Sequence, residues 1–335
     1  VIGKDMEREW PLVSIAMPCY NRGSNLEKFI ANIRKQSYPQ DKLEIVLADF
    51  YSEDNTYEVA QKNGCIILRD HNPDMEYRRT LALKNCSGEY IFIADDDNFF
   101  VNPDLIKNMV TVIEDEDASA VECVWEYYDK KDYATNRYCS LFGTTDPTTY
   151  YLHMQDHMPV VNKTWTLNGT VVKETPEYFK VKMKPEEIPT MGDQGFLCRK
   201  KDILKAEKDG IILHMDICSI LAREGKDEFI FLKDYFGHNH VKNIKQLMKK
   251  LKRNIDRYNE DGKERAMNYD MNAMKMVKLG LTMGTFVIPL KDAIVGFSKM
   301  RDAAWFLHPI ICFRVALCYT ISTLKGMARR KNEAQ

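Results

Sequence analysis

The stretch Gly88–Phe100, "GEYIFIADDDNFF", drives an apolar segment, Tyr90 to Ala94, straight into three consecutive aspartates, Asp95, Asp96 and Asp97. Like charges in a row repel, so a buried strand that ends on them must deliver them to a place where a counter-charge can enter. The surrounding sequence says where that place is. "LVSIAMP" (12–18) is a short apolar run stopped by proline, and "NLEKFIANIRKQS" after it spaces Leu26, Phe29, Ile30 and Ile33 along one helical face. "LEIVLAD" repeats the strand, "NTYEVAQKNG" the helix and "CIILRD" the strand again, and "MEYRRTLALKNCSG" supplies a helix before "YIFIADDD". Such alternation predicts a mostly parallel sheet with right-handed crossovers, whose ligands sit at the carboxyl ends of the strands. Three of those ends carry polar residues: Tyr20-Asn21-Arg22, Asp49 and the aspartate triplet.

At a strand end the carboxylates leave the core, and a divalent cation offsets their repulsion. Mg²⁺ and Mn²⁺ take oxygen ligands, often one or two carboxylates together with substrate phosphates. On an extended segment Asp95 and Asp97 point the same way and Asp96 the other. The plain structural alternative is a solvated acidic turn ahead of the helix expected in "NPDLIKNMVTVIED", with Asn102 before Pro103 as its N-cap.

A chain of 335 residues has ample length for one α/β catalytic domain plus an appendage. Its formal net charge of −1 hides an asymmetry, because Lys and Arg crowd 242–265 and the C-terminal end. The tail, not the whole protein, is therefore expected to meet an anionic surface, and nucleic acid is not an expected partner. Nine singly placed cysteines with no Cys-x-x-Cys pair argue against a zinc cluster or disulfide framework, and read as reduced thiols. The first residues show no long apolar run, so no secretory leader is expected and the sequons at Asn162 and Asn168 read as incidental.

Taken in order, "VSIAMPCYNRGSNLEKFIANIRKQSYP", "EIVLADFYSEDNT" and "YRRTLALKNCSGEYIFIADDDNFFVNPDLI" resemble the family 2 glycosyltransferases of the GT-A fold, closely over 12–110 and more loosely over 190–240. The resemblance implies that Pro18, Tyr20, Asn21 and Asp49 hold the nucleotide, and Ser52, Asp54 and Thr56 match the Ser-x-Asp-x-Thr that follows. It places the family's helix arginine on Arg79, nine residues before Gly88, and its Asp-x-Asp on Asp95 and Asp97. Asp97 is then the principal ligand of an Mn²⁺ or Mg²⁺ ion and Asp95 a second; Asp95 and Asp96 lie with the nucleotide sugar, Asp96 being the most replaceable of the three. Phe50-Tyr51 stands where the pattern has Asp-Gly, and Thr80 where it has Asn, which bears on base and sugar recognition. Arg79 paired with Glu76 as an ordinary surface helix pair is the plain alternative, and Arg78 beside it competes for the role.

In "GIILHMDICSILAREGK" Asp216 opens a helix with Ile217, Ile220 and Leu221 facing inward, followed by Arg223 and Gly225. The family carries its catalytic base at such a helix start, which makes Asp216 the candidate base for an inverting displacement; a plain N-cap is the alternative. In "FGHNHVKN" His238 and His240 share a face if extended, and a histidine after the acidic helix binds metal in several GT-A enzymes, so His240 is the candidate third ligand.

From Val241 the character changes. Val241, Ile244, Leu247, Met248, Leu251, Ile255 and Tyr258 recur at helical steps among lysines, a basic amphipathic helix. "LGLTMGTFVIPL", "AAWFLHPIICF" and "VALCYTISTL" are runs of ten to twelve residues. Each is short of the roughly 20 that a spanning helix needs, so interfacial or re-entrant helices are expected, kinked at Pro289 and Pro309 and anchored by Trp305, Tyr319 and "KGMARRK" at a cytoplasmic leaflet.

The expectation is an α/β GT-A fold, Rossmann-like with a mostly parallel mixed sheet flanked by helices, plus a C-terminal α-helical membrane-interface extension. Its parts are a tail at 1–11, a nucleotide-sugar half at 12–115, an acceptor half at 116–240 and membrane-associated helices at 241–335. The expected reaction is inverting transfer from a nucleotide sugar, UDP favoured, to a hydroxyl of a membrane-borne, polyprenyl-linked acceptor. Alternatives are a polyprenyl-phosphate sugar synthase, whose phosphate nucleophile needs no base, and a catalytically silent membrane-tethered scaffold. A nucleotidyltransferase is disfavoured because "PCYNRGSNLEK" lacks a Gly-rich basic loop.

Overall fold

The structure, a computed structural model, describes residues 8–192, 194–260 and 273–333. Residues 1–7 of the expected tail, and 261–272 and 334–335 of the C-terminal segment, lie outside the described residues, as do Asp193 and the side chains of "KGMARRK". The chain divides into two compact units, one of the chain up to Val124 with Gly169–Gly237, the other of Trp125–Asn168 with His238 onward. Residues 125–168, expected with the acceptor half, thus pack with the C-terminal segment.

In the first unit, chain order runs β1 (Val13–Cys19), α1 (Gly23–Ile33), β2 (Leu43–Asp49), α2 (Thr56–Lys62), β3 (Ile66–Arg69), α3 (Met75–Lys84), β4 (Tyr90–Ile93), β5 (Asn98–Phe100), α4 (Leu105–Asp115) and β6 (Ala120–Glu126). The next elements, α5 (Ala134–Phe142) and α6 (Pro147–Tyr151), belong to the second unit. The first unit resumes with β7 (Thr170–Glu174), β8 (Tyr178–Lys182), β9 (Phe196–Arg199), α7 (Lys200–Lys205), the short β10 (Glu207–Lys208) and β11 (Ile211–Ile212), α8 (Ile217–Arg223) and β12 (Glu228–His238). The sheet order is β3-β2-β1-β4-β9-β6-β12-β8-β7, with β5 on β12.

The strands β3-β2-β1-β4 pair in parallel, while β9 runs antiparallel to β4 and to β6, and β8 antiparallel to β7 and β12. The sheet is mixed, and its parallel part is the one the alternating sequence pattern announced. β1 and β4 are buried along their whole length, which is why they read as unbroken apolar runs. Leu26, Phe29, Ile30 and Ile33 of α1 form the buried helical face the spacing predicts, although the helix stops at Ile33, short of Ser37. Asn102 is not the cap of α4; Asp104 holds that position, and Asn102 accepts from the Asp104 amide in a turn.

The second unit adds α9 (Ile244–Glu260), α10 (Ala273–Gly284), α11 (Val287–Lys299) and α12 (His308–Glu333). Leu247, Leu251 and Ile255 of α9 are buried, and α9 packs on α12. The apolar stripe of the basic helix is therefore occupied by protein, and its lysines face outward. Pro309 falls in the first turn of α12 and Pro289 in the first turn of α11, where the missing N–H has no helical partner to lose, so neither proline kinks its helix. With Arg314 also accommodated, the two short apolar runs join: Ala303–Ser322, of mean hydropathy 1.5, is long and apolar enough to cross a membrane by length and composition. Yet 39% of that stretch is buried within the protein. His308 stacks on Phe142 at 3.8 Å and meets the Tyr138 and Tyr151 hydroxyls at 3.0 and 3.1 Å. Asp302 accepts from Arg137 at 2.7 Å. The outer face stays apolar: Ile310, Phe313 and Leu317 of α12, Ile294 and Val295 of α11, and Val277 and Leu281 of α10 are exposed.

Candidate active site

The carboxyl ends of β1 and β2 continue into two loops that are clamped together. Asn21 adopts a left-handed conformation (φ 52°), and its amide donates to Ser52 Oγ at 2.9 Å while its Oδ1 accepts from the Glu53 amide at 2.8 Å. The Arg22 amide donates to Thr56 Oγ1 at 2.8 Å and the Gly23 amide to Asp54 Oδ2 at 3.1 Å. A Cβ at Gly23 would stand 2.0 Å from Asn55 Oδ1, so any larger residue would displace the Asn55 side chain. Asp49 is buried; its carboxylate accepts from the Ser52 amide (3.1 and 3.2 Å) and hydroxyl and from Arg69 Nε at 3.2 Å. Asn21, Asp49, Ser52, Asp54 and Thr56 are thus brought together as the frame of a pocket edge. Pro18 lies within buried β1 beside Ala48, and Tyr20 is exposed at the rim.

At the end of β4 the triplet turns. The Asn98 amide donates to the Asp95 carbonyl at 3.1 Å, and the Asp95 amide donates to Asn98 Oδ1 at 2.8 Å. The extended geometry that would aim Asp95 and Asp97 alike is absent, because this turn bends the chain back into β5. Asp96 is held from α1 and the residue before it. It accepts from Asn25 Nδ2 at 2.9 Å and pairs with Arg22 Nε at 3.5 Å, and its side chain is 11% exposed against 30% for Asp95. Burial pushes its carboxyl above the ordinary range; Arg22 and Asn25 work against that, and the charge of Asp97 adds to it. Arg79, 1% exposed, reaches Asp95 Oδ1 at 3.3 Å and Glu76 Oε2 at 3.9 Å, so it is no surface helix pair.

The same helix carries the link to Asp216. Thr80 Oγ1 accepts from the buried Ile212 amide of β11 at 2.8 Å and donates to the Glu76 carbonyl at 2.8 Å. Glu76 also meets His214 Nδ1 at 2.9 Å, and His214–Asp216 form a single 3-10 turn. Asp216, 3% exposed, stands at the N-cap position of α8, but its side chain makes no capping hydrogen bond. The plain capping role is thereby removed.

His238 and His240 fall in the second unit, with ring centroids 3.7 Å apart. Nε2 of His240 is engaged by Glu126 Oε1 at 2.6 Å, both side chains being buried. Burial pushes Glu126 far up and His240 far down, so the pair is held neutral. Among the described residues no three His, Cys, Asp or Glu side chains gather as a ready-made metal cage. The oxygen donors at the end of β4 still suit a hard divalent ion, which needs one or two carboxylates with phosphates and water, and which would relieve the repulsion that Asp97 exerts on Asp96.

Residues 14–169 match the family model described as Glycosyl transferase family 2. The chain carries a family 2 glycosyltransferase domain. The glycosyltransferase GlyG of Streptococcus pneumoniae is 30% identical over 127 residues, 36% of this chain and 41% of that protein. The poly(ribitol-phosphate) beta-N-acetylglucosaminyltransferase TarS of Staphylococcus aureus is 22% identical over 219 residues, 64% of this chain and 36% of that protein. The chain thus spans about two-fifths or less of the length of these curated relatives. Among solved structures, the mannosyltransferase PcManGT from Pyrobaculum calidifontis, in complex with GDP-Man and Mn²⁺, aligns with a TM-score of 0.53 at 15% identity over 95% of this chain and 91% of that one. This likeness is one of fold, and the fold is GT-A.

Within the glycosyltransferase domain, the departures from the family pattern have visible contacts. Thr80 makes the α3–β11 tie just described. Tyr51 stacks on His71 at 3.8 Å, and Arg69 lies over the rings of Tyr51 and Tyr57 at 4.5 and 4.7 Å. Phe50 meets Tyr20 edge-on at 5.1 Å and lies under the guanidinium of Arg78 at 4.8 Å. Arg69 escaped the sequence reading, although its place at the end of "CIILRD" was a usable signal.

Proposed function

We propose that the protein is a metal-dependent, inverting glycosyltransferase that moves a sugar from a nucleotide-diphosphate sugar, UDP favoured, to a hydroxyl of a membrane-borne, polyprenyl-linked acceptor. The observation that carries this reading is the convergence on α3. One face of that helix holds Asp95 through Arg79, and the Glu76–His214 contact holds the turn that presents Asp216. Donor-side carboxylates and a candidate base are thus fixed to one rigid element.

In the proposed reaction the acceptor oxygen attacks the anomeric carbon as the bond from that carbon to the diphosphate oxygen breaks, and the proton of the hydroxyl passes to Asp216. A single displacement inverts the centre. Asp97 and Asp95 would hold a divalent ion, which when bound would supply charge neutralisation for the leaving diphosphate. Arg79 keeps Asp95 in place and adds positive charge at the same end of the sheet. The relatives support a transferase of this kind, since they are described as glycosyltransferases, and the PcManGT structure contains a nucleotide sugar with Mn²⁺. The exposed apolar faces of α10 to α12, edged by Lys275, Lys278, Lys291 and Arg314, support seating on an anionic membrane surface.

The test is turnover of a UDP-sugar with a lipid extract as acceptor, in wild type and Asp216→Asn. Transfer to a hydroxyl is expected to fall by about 10²- to 10⁴-fold in the variant, with donor affinity unchanged. Undiminished turnover would assign the acceptor to a lipid phosphate, which is already ionised. Absence of nucleotide-sugar binding would sink the reading altogether.

A further inference from the structure

We infer that Arg78, one position away from the arginine the family pattern marks, reads the nucleobase of the donor through a keto oxygen. The inference rests on the proposed nucleotide-sugar reaction.

Arg78 is 7% exposed, and its Nε and Nη1 are buried with no hydrogen-bond partner. A charged donor left unsatisfied away from water is costly, and such groups persist where a ligand completes them. Its neighbours do not complete it. Asp49, the nearest carboxylate in electrostatic terms, is already taken by Ser52 and Arg69, and Asp70 and Asp74 accept from the Asn72 and Glu76 amides. What Arg78 does meet is a ring: its guanidinium lies over Phe50, 4.8 Å from the ring centroid, a contact that gives its N–H groups no acceptor.

Position identifies the ligand atom. Successive helix residues are about 100° apart around the axis, so Arg78 and Arg79 serve different strand ends. Arg79 goes to Asp95 at the end of β4, and Arg78 to Phe50, the residue after β2. In the order β3-β2-β1-β4 those ends are two strand spacings apart, roughly 10 Å. With the diphosphate at the aspartates, a nucleotide laid along this edge brings its base to Phe50 and Arg78. An in-plane donor selects an acceptor there, the keto oxygen of uracil or guanine, and disfavours the amino group that cytosine carries in the corresponding place. Phe50 and Tyr20, loop rings in edge contact, form the flap over this edge, and Tyr20 is exposed.

The experiment is calorimetric binding of UDP, GDP and CDP with Mn²⁺ to the full chain as wild type, Arg78→Met, Arg78→Lys and Arg79→Met, with melting temperatures of the unliganded proteins. Wild type is expected to prefer one keto nucleotide to CDP. Arg78→Met should weaken that nucleotide on the order of 10- to 100-fold, the worth of a hydrogen bond to a charged group, and barely touch CDP. Unliganded Arg78→Met should melt at or above wild type, because the buried unsatisfied cation is gone. Arg78→Lys, which keeps charge and stem, should fall between and guards against misfolding of the methionine variant. Arg79→Met is expected to weaken all three nucleotides alike. Equal loss of keto nucleotide and CDP in Arg78→Met would move the contact to phosphate and overturn the inference, as would unchanged affinity. If wild type binds no nucleoside diphosphate, the proposed function itself falls; binding that ignores Arg78 refutes the base reading alone.

Discussion

Thr80→Val is the sharpest probe of the tie between donor and acceptor sides. Valine matches threonine in shape, so the change removes one hydroxyl and little volume. That hydroxyl accepts the Ile212 amide at 2.8 Å in buried surroundings. Leaving a buried N–H unsatisfied costs about 1–3 kcal/mol, and for a folded unit of this size each kcal/mol lowers the melting temperature by about 2–4 °C. A drop of about 4–8 °C is therefore the central expectation, with Thr80→Ser near wild type. Amide hydrogen exchange reads the bond directly: Ile212 should lose protection in the valine variant while the amides of β1 and β4 keep theirs. Because β11 leads into the His214–Asp216 turn, turnover should fall more than donor affinity. A melting temperature within 1 °C of wild type, with Ile212 still protected, would refute the claim that α3 positions this turn.

Asp96→Asn should match or exceed wild type in stability at neutral pH. Burial raises the folded pKa of Asp96, so its contribution is fully present below the unfolded pKa and is lost as pH rises through the folded value; the variant should lack that decline in a melting series from pH 4 to 7. Asp302 behaves oppositely: burial raises its carboxyl, but hydrogen bonds from Arg137 and Tyr128 overcome this and hold it below the ordinary range. Its contribution is present above the unfolded pKa and fades as pH falls through the lowered value, so Asp302→Asn should weaken the acid-side loss of stability. Leu251→Ala in α9 should cost about 2–5 kcal/mol by leaving a cavity, measured by denaturant midpoint. Lys249→Glu on the same helix should leave that midpoint alone and reduce sedimentation with anionic vesicles.

The parallel half of the sheet was legible because β1, β2 and β4 are buried on both faces and α1 is amphipathic, so period and punctuation both speak. Leu26, Phe29, Ile30 and Ile33 packed as their spacing demands. The rest was not, since β7 is mostly exposed, and β10 and β11, which pair with each other as a separate small sheet, have two residues each, too few for any period to register. The carboxyl-end residues could be named in advance, but their division of labour could not. Alternation set Asp96 apart from Asp95 and Asp97, but a turn replaces the extended chain there, and the ties of Asp96 to Asn25 and Arg22 cross 71 and 74 positions of sequence. Counting apolar runs up to each charge understated α12, because one arginine on the outer face does not interrupt a helix whose other face is already packed.

The clamp between the first two loops has a consequence for how this pocket can change. Its bonds run from main-chain amides of 21–23 and 52–53 to the side chains of Ser52, Asp54, Thr56, Asn21 and Asp49. Tyr20, Phe50 and Tyr51 hang from this lattice without closing any of its hydrogen bonds. A library randomised at those three positions should therefore stay folded while its donor preference wanders, whereas the same diversity at 49, 52 and 54 should yield mostly unfolded protein. The molecule keeps its socket and its label on separate residues, and so can be re-addressed without being rebuilt.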